Sequence, residues 1–371
     1  MKLKIAMGVT LVAYVFGFFA LQIFAKDKAI SELENRDLAS MPTFTKKTFL
    51  DGSFGKDFET YIADQFPLRN NFISVKAYTE LALRKKDNNG VFIGRDGHLM
   101  QNFTDENFDQ LDKNAQYINT FAENFNVYTL ISPTATKILS YKLPKYATPC
   151  DEGDSIHRFY GQLNHNVHKV NVLDALLDKK AQPIYYKTDH HWTTLGAYYA
   201  YVEFAKSAGF TPLSLDDFNI IDAHKEFYGT LFSRGNFTFA KPDTIQIFEP
   251  KKKVDVEVTY VSDNTTTNSL YTYTHLDTKD KYNVFLNGNH PLIKIKTGTK
   301  NGKKLLIIKD SYANSLVPFL VNHYEEIHMI DLRLSNIPIT SYANENNIKD
   351  VLFLYNIQNF TREVKLGWLN R

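Results

Sequence analysis

Five short, almost wholly apolar runs constrain this chain more than any other feature: Val127–Ser132, Val170–Asp174, Leu305–Lys309, Ile327–Asp331 and Val351–Tyr355. Each has the length of a strand, and none alternates as a half-exposed strand does. Strands apolar on both faces belong to a sheet covered on both sides by helices, the usual setting of parallel pairing. The chain is therefore read as α/β, a parallel sheet flanked by helices. About 130 residues separate the second run from the third, too many for one crossover. Part of that stretch alternates in the β manner (Val254, Val256, Val258), so a β-rich insertion is expected around residues 245–300.

The N-terminus sets a second constraint. Ile5–Ala25 is 21 residues without a charge, enough to cross a hydrocarbon core of roughly 30 Å. Lys2 and Lys4 precede it, which keeps the short stub cytoplasmic and puts the chain after Lys26 outside. The run is longer than the apolar region of a cleaved signal and lacks an A-x-A site before Lys26, so an uncleaved single-pass anchor is expected. The expected division is a stub and anchor at residues 1–25, a helical lead-in at 26–95 and the α/β domain at 96–371. Within the lead-in, Phe58, Tyr61, Ile62 and Phe66 share one helical face and Pro67 ends it; a second helix is predicted from about Phe72 to Lys86. Residues 90–100, with Asp96-Gly97, read as a small hairpin.

Composition narrows the function. With 43 Lys+Arg against 41 Asp+Glu, no broad basic face is available for nucleic acid. The lone Cys150 excludes an intrachain disulfide framework and Cys-rich metal sites. A hydrophobic share of 43% argues against disorder.

Two motifs carry chemistry. Thr188-Asp189-His190-His191-Trp192-Thr193-Thr194 precedes a helix marked by Leu195, Tyr198, Tyr199, Val202 and Ala205, capped by Thr193 or Thr194 and closed by Gly209. In an extended segment Asp189 and His191 face one way and His190 the other. The second motif, Lys309-Asp310-Ser311-Tyr312, ends an apolar strand and enters a helix predicted from about Ala313 to Asn322. A serine on such a turn sits where α/β hydrolases hold a nucleophile, although the flanking glycines of that elbow are absent. Ser311, His191 and Asp189 thus supply the parts of a nucleophile–base–orienter triad. Other readings stay open: Ser311 as a helix cap, structural histidines, or metal-dependent hydrolysis through Asp189, His190 and His191.

The segment TDHHWT resembles the signature of the DHHW family, related to the alginate O-acetyltransferase group of the SGNH-hydrolase-like superfamily. Glu34-Asn35-Arg36 with Pro42, Asp64-Gln65-Phe66-Pro67-Leu68-Arg69, Phe227-Tyr228-Gly229-Thr230-Leu231 and Lys309–Tyr312 resemble it too, in the same order. The resemblance implies an SGNH-like fold and a membrane-anchored, outward-facing polysaccharide O-acetyltransferase or acetylesterase. Its catalytic residues would be Ser311, His191 and Asp189, with no cofactor and no metal. It implies a polysaccharide acceptor and a multi-span membrane-bound O-acyltransferase as acetyl donor. The first-block Gly-Asp-Ser-Leu of standard SGNH hydrolases has no counterpart, which leaves the oxyanion donors open. Candidates are backbone N–H groups around Ser311 and Tyr312, then Gly288-Asn289. Arg333 and Lys137 read as contacts to an acidic sugar or oxyanion, or as salt bridges. Trp192 reads as a sugar platform or as core. A non-catalytic carbohydrate-binding or scaffold component of an envelope complex is the alternative function.

Overall fold

A computed structural model describes residues 2–31, 33–34, 36–104 and 106–369. Asn35 of the Glu34–Arg36 segment, and residues 1, 370 and 371 at the ends of the expected divisions, lie outside the described residues. The chain forms two compact units: Met1–Asn88 with Phe232–Phe239, and Asn89–Leu231 with Ala240–Arg371.

The larger unit is built on an eight-stranded sheet. In chain order its strands are β1 (Asn126–Ser132), β2 (Val167–Lys169), β3 (Val256–Tyr260), β4 (Thr265–Thr267), β5 (Leu292–Thr297), β6 (Lys304–Lys309), β7 (Glu326–Ile330) and β8 (Asp350–Asn356). Their order across the sheet is β4-β3-β5-β7-β6-β8-β1-β2. From β7 to β2 every pairing is parallel, with Ile307 opposite Met329 and Leu352. Alternate residues of these strands feed two separate cores. Leu305, Ile307, Met329 and Leu352 pack against Ala197, Tyr201 and Phe204 of the helix Thr194–Ala208. Leu306, Ile308, Val351 and Phe353 pack against Leu111, Ala115 and Ile118 of the helix Phe108–Phe121. Each such side chain contributes about 1.5–3 kcal/mol of transfer free energy. That double burial is why the runs carry no polar alternation.

The sheet as a whole is mixed: the strands at the apolar runs pair in parallel, and the antiparallel part comes from the insertion. The segment read as a β-rich insertion supplies β3, β4 and β5, which extend the sheet through antiparallel pairing, β5 lying against β7. Exposed residues interrupt the burial of β3 and β5, as an antiparallel margin with one partly solvated face allows. The expected strand at Val170–Asp174 is corrected. The strand is Val167–Lys169, and Val172–Asp178 is a helix that buries Val172, Leu173 and Leu176, a helical spacing. A further antiparallel pair joins Phe218–Phe227 to Asp243–Pro250; only the second strand overlaps the expected β-rich insertion. The small hairpin forms as Val91–Ile93 with Leu99–Gln101, and Asp96 and Gly97 both take positive φ in its turn.

In the smaller unit, helix Lys2–Phe24 is long and apolar enough to cross a membrane. Helices Ser53–Asp64 and Arg69–Ala82 follow. The second starts about one turn earlier than predicted, directly after Leu68, which takes a left-handed φ of 59°. Two of the segments quoted above meet here in one polar clasp. Arg36 donates to both oxygens of Asp64, the Ala39 N–H donates to Asp64 Oδ2, and Arg69 pairs with Glu34. Hydrogen bonding from Arg36 is the main reason the Asp64 carboxyl drops to about 2.

A folded-state value below the ordinary carboxylate value means that this stabilisation is present at neutral pH and is lost as pH falls from about 4 toward 2. Hydrogen exchange of the full chain should therefore show protection around Ala39 failing over that window. In Asp64→Asn the protection should already be reduced at pH 7. Equal protection in both proteins at pH 7 would contradict the clasp.

Candidate active site

The DHHW segment is held in a bend. Tyr185 and Trp192 form a bridge, and the Thr193 N–H donates to the Ile184 carbonyl at 3.0 Å. The Thr193 hydroxyl caps the following helix by accepting from the Gly196 N–H. Before the bend, Asp243 clamps the backbone: its carboxylate accepts from Lys187 N–H, Thr188 N–H and Thr188 Oγ1 at 2.6–2.8 Å. Asp243 stands at the start of the second strand of that further antiparallel pair, opposite Phe227.

Asp189 is 1% exposed and has four donors. Its Oδ1 accepts from His191 N–H at 2.9 Å and His191 Nδ1 at 2.6 Å. Its Oδ2 accepts from Thr230 N–H at 2.8 Å and Thr230 Oγ1 at 3.1 Å. Burial opposes its charge, but the neighbouring His190 and His191 and these hydrogen bonds outweigh that effect. The carboxyl therefore stays well below the ordinary carboxylate range. An ionised carboxylate only accepts, so His191 Nδ1 carries a proton, and in the neutral ring the lone pair is left on Nε2. Ser311 Oγ donates to that Nε2 at 2.7 Å. Ser311 follows the carboxyl end of β6 by two residues and is 7% exposed, the least buried of the three.

Tyr282 lies flat on the imidazole, with centroids 3.8 Å apart and planes 8° apart. Its hydroxyl donates to Ser315 Oγ at 3.0 Å. A π-face against imidazole favours the protonated ring.

A family model described as DHHW protein matches residues 96–330, well over half of the chain. The chain belongs to the DHHW protein family. Among solved structures, it resembles a DHHW family protein from Eubacterium siraeum (29% identity, TM-score 0.65, covering 76% of this chain and 96% of that one). It also has the fold of PatB1 from Bacillus cereus (22% identity, TM-score 0.63, covering 73% and 96%). Among curated sequences it is 27% identical over 179 residues to the probable alginate O-acetylase AlgJ of Pseudomonas syringae pv. tomato. That match covers 44% of each protein, so the chain spans less than half of that relative's length.

The DHHW side chains divide by environment. His190 does not point away from the site as an extended segment requires. Because the segment bends, its ring lies 3.8 Å from that of His191, and its Nδ1 shares a 2.6 Å hydrogen bond with Thr230 Oγ1. Ligand atoms of Asp189, His190 and His191 lie within 4.8 Å of one another. Both Asp189 oxygens and both His191 nitrogens are already committed to hydrogen bonds, so this set does not present free lone pairs to a common ion. Trp192 is fully buried and cannot serve as a sugar platform. Its Nε1–H is shared between the Tyr312 carbonyl at 3.1 Å and Ser315 Oγ at 3.0 Å, which ties the DHHW bend to the serine turn.

The oxyanion candidates also separate. Tyr312 is buried, donates its N–H to Asp310 Oδ1 and its hydroxyl to the His190 carbonyl, and is spent as a donor. The Gly288 N–H is taken by the Phe285 carbonyl. The Ser311 N–H and the Asn289 side-chain amide have no partner among the described residues. The predicted helix after the serine is a single α-turn, Ala313–Leu316, followed by a 3-10 turn with Pro318, so the expected long-helix dipole is missing. Arg333 forms a two-pronged pair with buried Asp331, Nε–Oδ1 2.9 Å and Nη2–Oδ2 2.6 Å, which is the salt-bridge reading of the two given above. Lys137 pairs with Asp151 at 2.5 Å.

Sequence reasoning missed Thr230, Tyr282 and Gly229 as parts of this site. Gly229 and Thr230 sit in the quoted Phe227–Leu231 segment, a signal whose physical meaning was hidden. An added methyl at Gly229 would fall 2.2 Å from Asp189 Cβ and 2.4 Å from its Oδ2. Gly229→Ala should therefore cost about 1–3 kcal/mol of stability through overpacking. It should also shift or abolish the downfield proton resonance of His191 Nδ1–H. An unchanged melting temperature and an unchanged resonance would contradict the crowding.

Proposed function

We propose that this chain is an acyl-transfer enzyme, an O-acetyltransferase or acetylesterase acting on a polysaccharide of the cell envelope, with Ser311 as nucleophile, His191 as base and Asp189 as orienter. The observation that carries this reading is the continuous Asp189–His191–Ser311 relay, with its tautomer imposed by a buried carboxylate. Family membership and the relatives named alginate O-acetylase support the substrate class.

In this reading Ser311 Oγ attacks the acetyl carbonyl carbon as its proton passes to His191 Nε2. Asp189 and the face of Tyr282 stabilise the imidazolium, and the carbonyl oxygen becomes an oxyanion. The Ser311 N–H and the Asn289 amide are the donors proposed for that oxyanion. Collapse breaks the bond to the donor's leaving group, which takes the proton back from His191 and leaves acetyl-serine. A sugar hydroxyl then attacks the acetyl-serine, His191 accepts its proton, and collapse frees the acetylated sugar and restores the Ser311 hydroxyl. Water in place of the sugar gives hydrolysis.

The apolar helix Lys2–Phe24 would anchor the enzyme with this unit outside the cell, where a multi-span O-acyltransferase would present the acetyl donor. Turnover of an activated acetyl ester by the purified chain tests the chemistry. Ser311→Ala and His191→Ala should fall to background. Asp189→Asn should lose about 10⁴-fold in kcat by presenting the wrong tautomer. Wild-type turnover in Ser311→Ala would remove the serine from the mechanism.

A further inference from the structure

We infer that Lys309 is a positioning residue for the transfer reaction: its ammonium locks the Asn289 carboxamide with its N–H₂ turned outward to meet the developing oxyanion. This rests on the acyl-transfer reading above.

Lys309 is the last residue of β6, two before Ser311, and its side chain is wholly buried. Its Nζ donates to Asn289 Oδ1 at 2.7 Å and to Asn314 Oδ1 at 2.8 Å, with Asp331 Oδ2 3.9 Å away. An ammonium has only donors, so the amide atom facing it must be the oxygen. That one requirement orients both carboxamides. The Asn314 amide group is thereby turned onto the Gly288 carbonyl and Asn289 Oδ1, each at 3.2 Å. Asn289 Oδ1 then has two donors, and its own amide nitrogen is left on the far side of the plane. Asn289 is exposed, and that nitrogen has no hydrogen-bond partner among the described residues.

The loop these contacts hold is one that needs holding. Leu286, Asn287 and Gly288 take φ values of 55°, 55° and 83° in succession. Left-handed conformations of non-glycine residues cost free energy and persist only where surroundings enforce them. The grip comes from both flanks of the serine turn, Lys309 before it and Asn314 after it. The nucleophile and the proposed donor are thus set by one framework. A buried Lys whose hydrogen bonds end on two neutral amides, with the Asp331 carboxylate 3.9 Å away, is an expensive way to hold a loop, unless the orientation itself matters.

The charged groups facing Lys309 are Asp331 and Arg333 beyond β7 and Asp310 on its own turn. Burial dominates and brings the ammonium down to about 8. Loss of that proton would leave a neutral amine whose lone pair can accept from an amide N–H, which removes the requirement that an oxygen face it and frees the carboxamide to flip.

The test is a double-mutant cycle on kcat for an activated acetyl ester, using the full chain with Asn289→Ala, Lys309→Met and the pair. Removing one oxyanion donor costs about 100-fold or more in kcat. Each single variant should fall by that order with little change in KM, and the double should be no slower than the slower single. Losses that multiply, or Lys309→Met at wild-type kcat, would overturn the inference. Should Lys309→Met fail to fold, the pH profile decides with Asn289→Ala alone, a change at an exposed position. Wild-type kcat should decline through the alkaline range as Lys309 loses its proton, and Asn289→Ala should lack that decline. The same alkaline limb in both proteins, or none in the wild type, would also overturn it. A Ser311→Ala variant that still turns over would instead count against the acyl-transfer reading, so the two failures are distinguishable.

Discussion

A carboxylate charge held inside the protein is the constraint on which the rest of this site depends. Asp189 is buried yet ionised because four donors surround it, two from His191 and two from Thr230. Remove them and the desolvation cost of the charge would drive the group neutral. With them, the charge dictates the proton on His191 Nδ1 and hence the lone pair that meets Ser311. The surroundings follow from this need. Gly229 lacks a side chain because Asp189 occupies that space. Asp243 clamps the residues just before the bend. The antiparallel pair of Phe218–Phe227 and Asp243–Pro250 brings Asp243, Gly229 and Thr230 to the same point.

The serine is placed by an independent framework. Asp310, its neighbour, accepts from Tyr312 N–H on its own turn, from Asn356 at the end of β8 and from Asn359 just beyond it. These bonds tie the ends of two adjacent parallel strands and fix where the turn leaves the sheet. Trp192 and Tyr312 then join the two frameworks. One donates to the serine turn and the other donates back to the His190 carbonyl. His191 and Ser311, 120 residues apart in sequence, are in this way held at hydrogen-bond distance.

Much of this was legible in the residues. Four of the five apolar runs are strands because burial on both faces removes any polar alternation, a signal that local sequence carries directly. The Val170–Asp174 run misled because a short buried helix and a buried strand are equally apolar. That the insertion's strands β3–β5 extend the same sheet was not legible, since pairing depends on where a strand docks and the alternating pattern leaves that open. Asp189, His191 and Ser311 were visible from their types and spacing. Tyr282, Thr230 and Lys309 were not, because each acts through a tertiary contact: a ring laid on an imidazole, an N–H aimed at a carboxylate, an ammonium buried under a loop. Trp192 failed as a surface platform for the same reason, since only the fold shows that its face is covered.

The central claim is that this relay makes Ser311 a covalent acyl acceptor. Intact and peptide-level mass of the purified chain after brief exposure to an activated acetyl ester tests it most directly. The account predicts one acetyl group per chain, on the peptide bearing Ser311, accumulating when the acceptor sugar is withheld. An acetyl group found on other residues only, or ester turnover without any acyl-serine under conditions that trap it, would contradict it.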